Sequence, residues 1–173
     1  KKIWSYFYAK HNQIQYNADG SANKDWLVWY ANNLIYQTVA EIEKVFGAPF
    51  VNKNVDHSIH IKFLADIFPD ALFIHVKRDP FDTVISILNA RRKKRGNIDV
   101  WWSVKPKEFD YLQNLNSVEQ ICGQIYYTEK NIETDIASLD IGSKYLPIHY
   151  ETICTETAQT MRKIVDFVNA HGF

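Results

Sequence analysis

The chain has 173 residues, and its 20 basic and 20 acidic side chains give a formal net charge of zero. A neutral balance argues against a chain devoted to nucleic acid, because such modules are strongly basic. No apolar stretch approaches the ~20 residues of a transmembrane helix, and no signal peptide is visible. The sequence does not fix the compartment, although the cytoplasm is slightly favoured.

The N-terminal third predicts an arm followed by a helix. Residues 1–20 are aromatic but aperiodic and predict an N-terminal arm, which leaves residues 21–173 as one α/β domain. A long helix is predicted over residues 23–46, and a strand over residues 50–52 and a helix over 57–67 follow it. The apolar face of the long helix is expected to contain Leu27, Tyr30, Leu34, Ile42 and Val45.

A strand that runs directly into a helix is predicted at residues 71–86. The apolar run of residues 71–76 is typical of a strand buried on both faces. Arg78 would lie at its carboxyl end, with Asp79 as the N-cap and Pro80 as the first helical residue. In open α/β sheets, ligands bind at the carboxyl ends of strands. We therefore expect a ligand contact at Arg78.

The chemistry of this junction favours an oxyanion. Arg78 supplies a fixed positive charge, the helix supplies N–H groups, and Ser86 supplies a hydroxyl two turns into the helix. Together these groups suit a phosphate. The alternative is that Arg78 pairs on the surface with Asp79 or Asp82, since such ion pairs are common and weak.

The remaining elements continue the alternation of helix and strand that is typical of an α/β layer fold. A helix is predicted with Ser117 and Gln120 as its capping box, followed by a strand over residues 145–150 and a last helix. Cys122 and Cys154 have no metal-type spacing and are expected to be buried thiols. The helix stripe is expected to contain Ile121, Ile125, Ile132, Ile136 and Leu139.

A basic run at residues 91–95 is the strongest charge feature. It could steer an anionic nucleotide, recognise an acidic acceptor, or contact RNA or acidic lipid. It also complements the dipole at a helix C-terminus. Trp101 and Trp102 follow, and they either form an aromatic platform beside the patch or seal a loop against the core.

Several motifs occur in an order that resembles a known family. Asn-Lys-Asn at residues 52–54, Phe-Pro-Asp at 68–70, Arg-Asp-Pro at 78–80 and Ser86 follow one another, with weaker likenesses at 101–106, 119–120 and 150–151. In this order the chain is similar to the sulfotransferases that use 3′-phosphoadenosine 5′-phosphosulfate, and most similar to the tyrosylprotein sulfotransferases and their bacterial relatives. The resemblance implies a P-loop-like three-layer α/β/α core with a short parallel sheet, here in partial form.

The resemblance also implies roles for individual residues. Arg78 and Ser86 match the pair that holds the 3′-phosphate of the nucleotide, and Tyr150 falls where some members place a tyrosine beside it. Lys53 matches a lysine near the transferring sulfuryl group, and Arg91 lies near another phosphate-contacting arginine. The implied co-substrate is 3′-phosphoadenosine 5′-phosphosulfate, with an unidentified hydroxyl acceptor and no metal.

The chain departs from the family pattern in two places. A Gly-rich phosphosulfate loop is expected upstream of Lys53, where Gly20 and Gly47 are the only glycines and neither begins a Walker-type loop. Val55 stands near the position of a catalytic histidine in some members. His57 is therefore the candidate general base, with His60 close by. The alternative is that both histidines are polar residues on an exposed helix face.

Three functions follow from these observations. The first is a sulfotransferase, and the second is a noncatalytic nucleotide-binding or interaction domain derived from one. The third is a P-loop kinase relative, which would need a Walker lysine and a magnesium ligand that the sequence does not show. The chain ends at Phe173 and resembles a partial copy of the core, so the missing parts are deleted, disordered or supplied by another chain, as in a homodimer or with a complementing chain, or the protein no longer catalyses.

Overall fold

The computed structural model describes residues 26–173, with side chains from residue 33 onward. The predicted arm of residues 1–20 therefore lies outside the described residues. The chain divides into two units, residues 1–54 and 55–173, and each is described by itself. A single domain over residues 21–173 stays a prediction.

The described part of the first unit is mainly one helix, α1 (Trp26–Phe46), close to the predicted range of 23–46. It ends at Gly47, whose φ of 61° is easily adopted by glycine. Of the residues predicted to form the apolar face, Leu34 and Val45 are exposed, whereas Ile35 is buried. The predicted face is therefore wrong at those two positions.

The predicted strand over residues 50–52 is also wrong. Residues 51–54 have no regular secondary structure. The Phe50 N–H donates to Glu43 Oε1 at 2.8 Å, so a carboxylate of α1 takes the donor that a strand partner would have used. This short segment follows the helix end instead of entering a sheet.

The second unit alternates helices with two strands. The predicted α/β class with a short parallel sheet is confirmed, and the helix predicted over residues 57–67 is two helices that meet at His60. In chain order the unit contains a 3-10 helix (Val55–Ile59), α2 (Ile61–Ile67), β1 (Phe73–Lys77), α3 (Pro80–Arg95), α4 (Phe109–Leu112), α5 (Ser117–Leu139), a second 3-10 helix (Gly142–Lys144), β2 (Tyr145–His149), α6 (Tyr150–Thr155) and α7 (Thr157–Asn169).

The two strands pair in parallel, in a register that runs from Phe73 opposite Tyr145 to Lys77 opposite His149. Their carboxyl ends therefore lie side by side, and each strand passes directly into a helix. The core comes from α2, α4, α5 and β2, through the buried residues Ile61, Phe63, Leu64, Ile67, Leu112, Ile121, Ile132, Leu146 and Ile148.

The prediction that β1 is buried on both faces is wrong. Ile74 and Val76 are 43% and 49% exposed. The other face carries Phe73, His75 and Lys77 and is the less exposed one, and there His75 Nε2 lies 3.2 Å from Glu129 Oε1 of α5. Because strand residues alternate between faces, α5 lies against the face with His75 and Lys77 and leaves the face with Ile74 and Val76 half open in the described part of the chain.

The capping box of α5 lies one residue before the predicted position. Asn116 is the N-cap and accepts from the Glu119 N–H at 3.0 Å, while the Glu119 carboxylate reaches back to the Asn116 N–H. The hydroxyl of Ser117 donates to Asp99 instead, and Gln120 is buried. Ser117 and Gln120, which the local pattern predicted as the capping box, therefore make contacts with residues outside the helix instead.

Three further features concern the thiols, the membrane and metal ions. Cys122 and Cys154 are both exposed free thiols, so the prediction that they are buried is wrong. Over residues 26–173, no helix has the length and apolar character needed to cross a membrane. Within the same range, no cluster of three or more His, Cys, Asp or Glu side chains is arranged to hold a metal ion.

Candidate functional site

The carboxyl ends of β1 and β2 bring together two residues that the sequence keeps far apart. Arg78 follows the last residue of β1, and Tyr150 follows the last residue of β2. The parallel register makes these two positions neighbours, and the Arg78 Cζ lies 4.8 Å from the centre of the Tyr150 ring. The structure thus places both residues at the sheet edge where a ligand was expected.

The N-terminus of α3 is built as the sequence predicts. The Asp79 side chain accepts from the Asp82 N–H at 3.1 Å, and Pro80 occupies the first turn. The Thr83 hydroxyl donates to the Asp79 carbonyl at 2.8 Å. Among the described residues, no ion pair joins Arg78 to Asp79 or Asp82. The Arg78 guanidinium, which lies over the Tyr150 ring, stays exposed beside the positive end of a helix of 16 residues.

Ser86 lies on the same face of α3 as the helix cap. Seven residues separate it from Asp79, which turns it to within roughly 20° of the same direction and places it about 10 Å along the axis. The Ser86 side chain is exposed, as is that of Arg78. An anion held between these two groups would lie along the first two turns of the helix.

Glu151 lies at the same edge of the sheet, and the sequence analysis assigned it no separate role. Its Oε1 accepts from the Asp79 N–H at 3.0 Å, and this hydrogen bond lowers the pKa of Glu151. The neighbouring Tyr150 has a raised pKa, chiefly because of its hydrogen bond with Cys154. The sequence shows an acidic residue directly after the tyrosine at the end of the strand. It does not show that Asp79 is the partner of this acid, because that depends on the register of β1 and β2.

His57 lies on the 3-10 helix Val55–Ile59 and is half-buried. Burial disfavours the imidazolium and lowers the pKa of His57, although Asp56 acts in the opposite direction. The 3-10 helix is tied to α5, because Asn131 Nδ2 donates to the Ser58 carbonyl at 3.3 Å. His57 is therefore less exposed than it would be on a solvent-facing helix surface, which was the alternative for this residue. Its neutral form is favoured.

Lys53 belongs to the first unit. It lies in the irregular segment of residues 51–54, and its side chain is exposed. Its ammonium group is therefore accessible to an anion from solvent.

Arg91 does not lie on the surface with the other basic residues. It is fully buried, and its Nη1 donates to the Ile98 carbonyl at 3.1 Å and to Gln120 Oε1 at 2.9 Å. Its Cζ also lies 5.3 Å from the centre of the Trp101 ring. Burial lowers the pKa of Arg91, with Asp99 opposing the shift. The guanidinium is enclosed by the protein, and the phosphate contact that the resemblance implied stays a prediction.

The basic run ends α3 as a solvated helix terminus. Residues 92–95 are exposed, and Gly96 ends the helix with a φ of 71°. Trp101 and Trp102 are half-buried, and Trp101 Nε1 donates to the Val104 carbonyl at 3.1 Å. These contacts match the interpretation in which the tryptophans seal a loop.

Comparison with known proteins adds to this geometry. The model of the sulfotransferase family matches residues 4–171, which is nearly the whole chain. No curated protein and no solved structure matched the chain. The more specific likeness to tyrosylprotein sulfotransferases stays a prediction. The chain belongs to the sulfotransferase family.

Proposed function

We propose that this chain transfers a sulfuryl group from 3′-phosphoadenosine 5′-phosphosulfate to a hydroxyl on a peptide tyrosine, a glycan or a small molecule. The observation that carries the proposal is the exposed Arg78, which lies over the Tyr150 ring at the carboxyl edge of a parallel sheet. The family match supports sulfuryl transfer as the reaction class.

The 3′-phosphate of the nucleotide is assigned to the N-terminal turns of α3. Arg78 provides a planar donor group that suits a phosphate, and Ser86 provides a hydroxyl on the same helix face as the cap. The helix dipole adds positive potential at this end. Tyr150 would lie beside the nucleotide. Arg91 is left out of the proposed site, because its guanidinium is buried against Gln120 and Ile98.

The proposed reaction is a direct displacement. The acceptor oxygen forms a bond to sulfur while the bond from sulfur to the phosphate oxygen breaks, and His57 takes the proton of the acceptor hydroxyl. Lys53 would neutralise charge on the sulfuryl and departing phosphate oxygens, which is an electrostatic form of catalysis. The lowered pKa of His57 supports the base, since a neutral imidazole is required to accept the proton.

Calorimetric titration with adenosine 3′,5′-bisphosphate tests the nucleotide site. Replacing Arg78 with alanine should weaken binding by about 10- to 100-fold, because a charged hydrogen-bonding partner of the 3′-phosphate is lost. Ser86→Ala should cause a smaller loss. Adenosine 5′-phosphate, which lacks the 3′-phosphate, should bind weakly and be insensitive to Arg78→Ala.

Arg92→Ala is the matched control, because Arg92 is an exposed arginine in the last turn of α3, whereas Arg78 precedes the first turn. It should leave the affinity for adenosine 3′,5′-bisphosphate within about twofold of the unsubstituted chain. Equal losses for Arg78→Ala and Arg92→Ala would show a diffuse charge effect and contradict the proposed site.

Replacement of His57 by glutamine should abolish sulfuryl transfer while nucleotide affinity is kept, because the amide has no basic nitrogen. In the unsubstituted chain, kcat/KM should rise with pH through a pKa below the ordinary value of 6.5, in the direction of the shift at His57. Transfer of labelled sulfate to a panel of hydroxyl acceptors measures both. Equal loss of turnover and of nucleotide affinity would contradict the role of His57.

A noncatalytic nucleotide-binding domain is the second candidate. It is favoured by the segment before Lys53, where Gly20 and Gly47 are the only glycines and no phosphosulfate loop of the family type is found. Nucleotide binding without sulfuryl transfer, with and without a second sulfotransferase-family chain, would select this candidate over the enzyme.

A further inference from the structure

The hydrogen bond between Glu151 and Asp79 continues the pairing of the two strands beyond the end of the sheet. Lys77 lies opposite His149 in the last backbone register pair. The next neighbours are Arg78 and Tyr150, which meet through the guanidinium and the ring. One residue further, the Asp79 N–H donates to Glu151 Oε1 at 3.0 Å.

At this point the main chain that follows β1 turns away from the sheet. Asp79 is the N-cap of α3 and has left the strand, with φ −46° and ψ 127°. The Asp79 N–H therefore takes its acceptor from a side chain of the segment that follows β2. The Glu151 carboxylate supplies the acceptor that the sheet ladder no longer provides.

The position of this hydrogen bond matters for Arg78. The Asp79 N–H belongs to the peptide plane that begins at the Arg78 carbonyl carbon, and that plane is rigid. Holding the plane against Glu151 fixes the backbone of Arg78 on its carboxyl side. The Tyr150 ring, 4.8 Å from the Arg78 Cζ, holds the other end of the same residue.

We infer that Glu151 is a positioning residue for the 3′-phosphate site, which acts by hydrogen-bonding the Asp79 N–H and so orienting Arg78. This inference rests on the proposed function, in which Arg78 binds the 3′-phosphate. Glu151 itself does not contact the nucleotide. The geometry demands an acceptor of glutamate length at residue 151, and the negative charge is not required for this role.

Three substitutions of Glu151 separate the effect of side-chain length from the effect of negative charge. Glu151→Gln keeps an acceptor oxygen at the same distance and removes a negative charge near the phosphate, so it should bind adenosine 3′,5′-bisphosphate at least as tightly as the unsubstituted chain. Glu151→Asp keeps the charge but is one methylene too short to reach the Asp79 N–H. Both Glu151→Asp and Glu151→Ala should weaken binding by about tenfold.

A double-substitution cycle tests whether Glu151 acts through Arg78. In a chain that already contains Arg78→Ala, the further change Glu151→Ala should cause no additional loss of affinity. Glu156→Ala is the control, since Glu156 is an exposed acid at the start of α7 whose side chain makes no capping hydrogen bond. It should bind like the unsubstituted chain.

The outcomes separate this inference from the proposed function. Failure of the unsubstituted chain to bind adenosine 3′,5′-bisphosphate would overturn both. The inference alone would be overturned if affinity depended on the charge at residue 151, so that Glu151→Asp binds like the unsubstituted chain and Glu151→Gln binds more weakly. An equal loss from Glu151→Ala with and without Arg78→Ala would do the same, and circular dichroism of each variant excludes a loss caused by unfolding.

Discussion

The Arg78 guanidinium lies 4.8 Å from the centre of the Tyr150 ring, and both side chains are exposed. A cation over an exposed aromatic face is attracted only weakly, so the ring directs the guanidinium without burying it. The contrast is Arg91, whose guanidinium is buried and bonded to Gln120 and Ile98. At the scale of single residues, accessibility is what distinguishes the arginine proposed to bind phosphate.

Changing Tyr150 tests how much the ring contributes to this arrangement. Tyr150→Ala should weaken the binding of adenosine 3′,5′-bisphosphate by about two- to fivefold, the effect expected of an exposed cation–π contact. Tyr150→Phe keeps the ring and should stay within about twofold. Calorimetry measures both variants. Equal losses for Phe and Ala would assign the effect to the Tyr150 hydroxyl and contradict a role for the ring.

At the scale of secondary-structure elements, α5 joins the sheet through polar contacts. His75 Nδ1 lies 2.7 Å from the Tyr145 hydroxyl, and His75 Nε2 lies 3.2 Å from Glu129 Oε1. The Lys77 Nζ lies 3.9 Å from Glu129 Oε2 and 3.4 Å from Glu133 Oε1. The Glu129 and Glu133 contacts fix β1 against α5, and the Tyr145 contact joins β1 to β2. Together they support the sheet edge that carries Arg78.

The Glu129 contacts predict a pH dependence of stability. Burial acts to raise the pKa of Glu129, but the hydrogen bond and charge of His75 and the charge of Lys77 outweigh it, so the pKa is lowered below 4.5. A depressed carboxyl pKa contributes stability above the unfolded value, and this contribution is lost as the pH falls through the folded value.

Glu129→Gln should therefore flatten the acid limb of the free energy of unfolding below about pH 4.5, the unfolded-state value. Urea denaturation at a series of pH values measures this dependence, with Glu156→Gln as the control. Identical acid limbs for Glu129→Gln and the unsubstituted chain would contradict the proposed contribution of Glu129.

Gly123 tests the packing of α4 on α5. A Cβ at Gly123 would overlap the Cδ2 of Leu112, which is almost fully buried. Gly123→Ala gains up to ~1 kcal/mol of helix propensity but costs ~1–3 kcal/mol of overpacking, so we expect a net loss of about 1 kcal/mol. Gly142→Ala, with open space around its Cβ, should be neutral in thermal denaturation. A stabilised Gly123→Ala variant would contradict this packing.

Local signals predicted some elements well and others poorly. The Asp79-Pro80 start of α3 was predictable, because the cap and the proline act within one turn. The α5 cap was misplaced by one residue, since Ser117 and Gln120 were drawn into contacts with Asp99 and Arg91. Such long-range partners leave no trace in a local pattern.

At the scale of the whole molecule, the family match includes residues of both units. Lys53 lies in the first unit, and Arg78, Ser86, Tyr150 and His57 lie in the second. The sequence placed Arg78 at a strand end but could not show that Tyr150 meets it there, or that Glu151 meets Asp79. That meeting depends on the parallel register of β1 and β2, which a single sequence does not reveal.

The measurement that tests the central claim most directly is calorimetric titration of adenosine 3′,5′-bisphosphate into the unsubstituted chain and into Arg78→Ala, with adenosine 5′-phosphate as the reference ligand. The account predicts binding that requires both the 3′-phosphate and Arg78, with a loss of about 10- to 100-fold in the variant. Binding that is indifferent to the 3′-phosphate or to Arg78 would contradict a nucleotide site at this edge of the sheet.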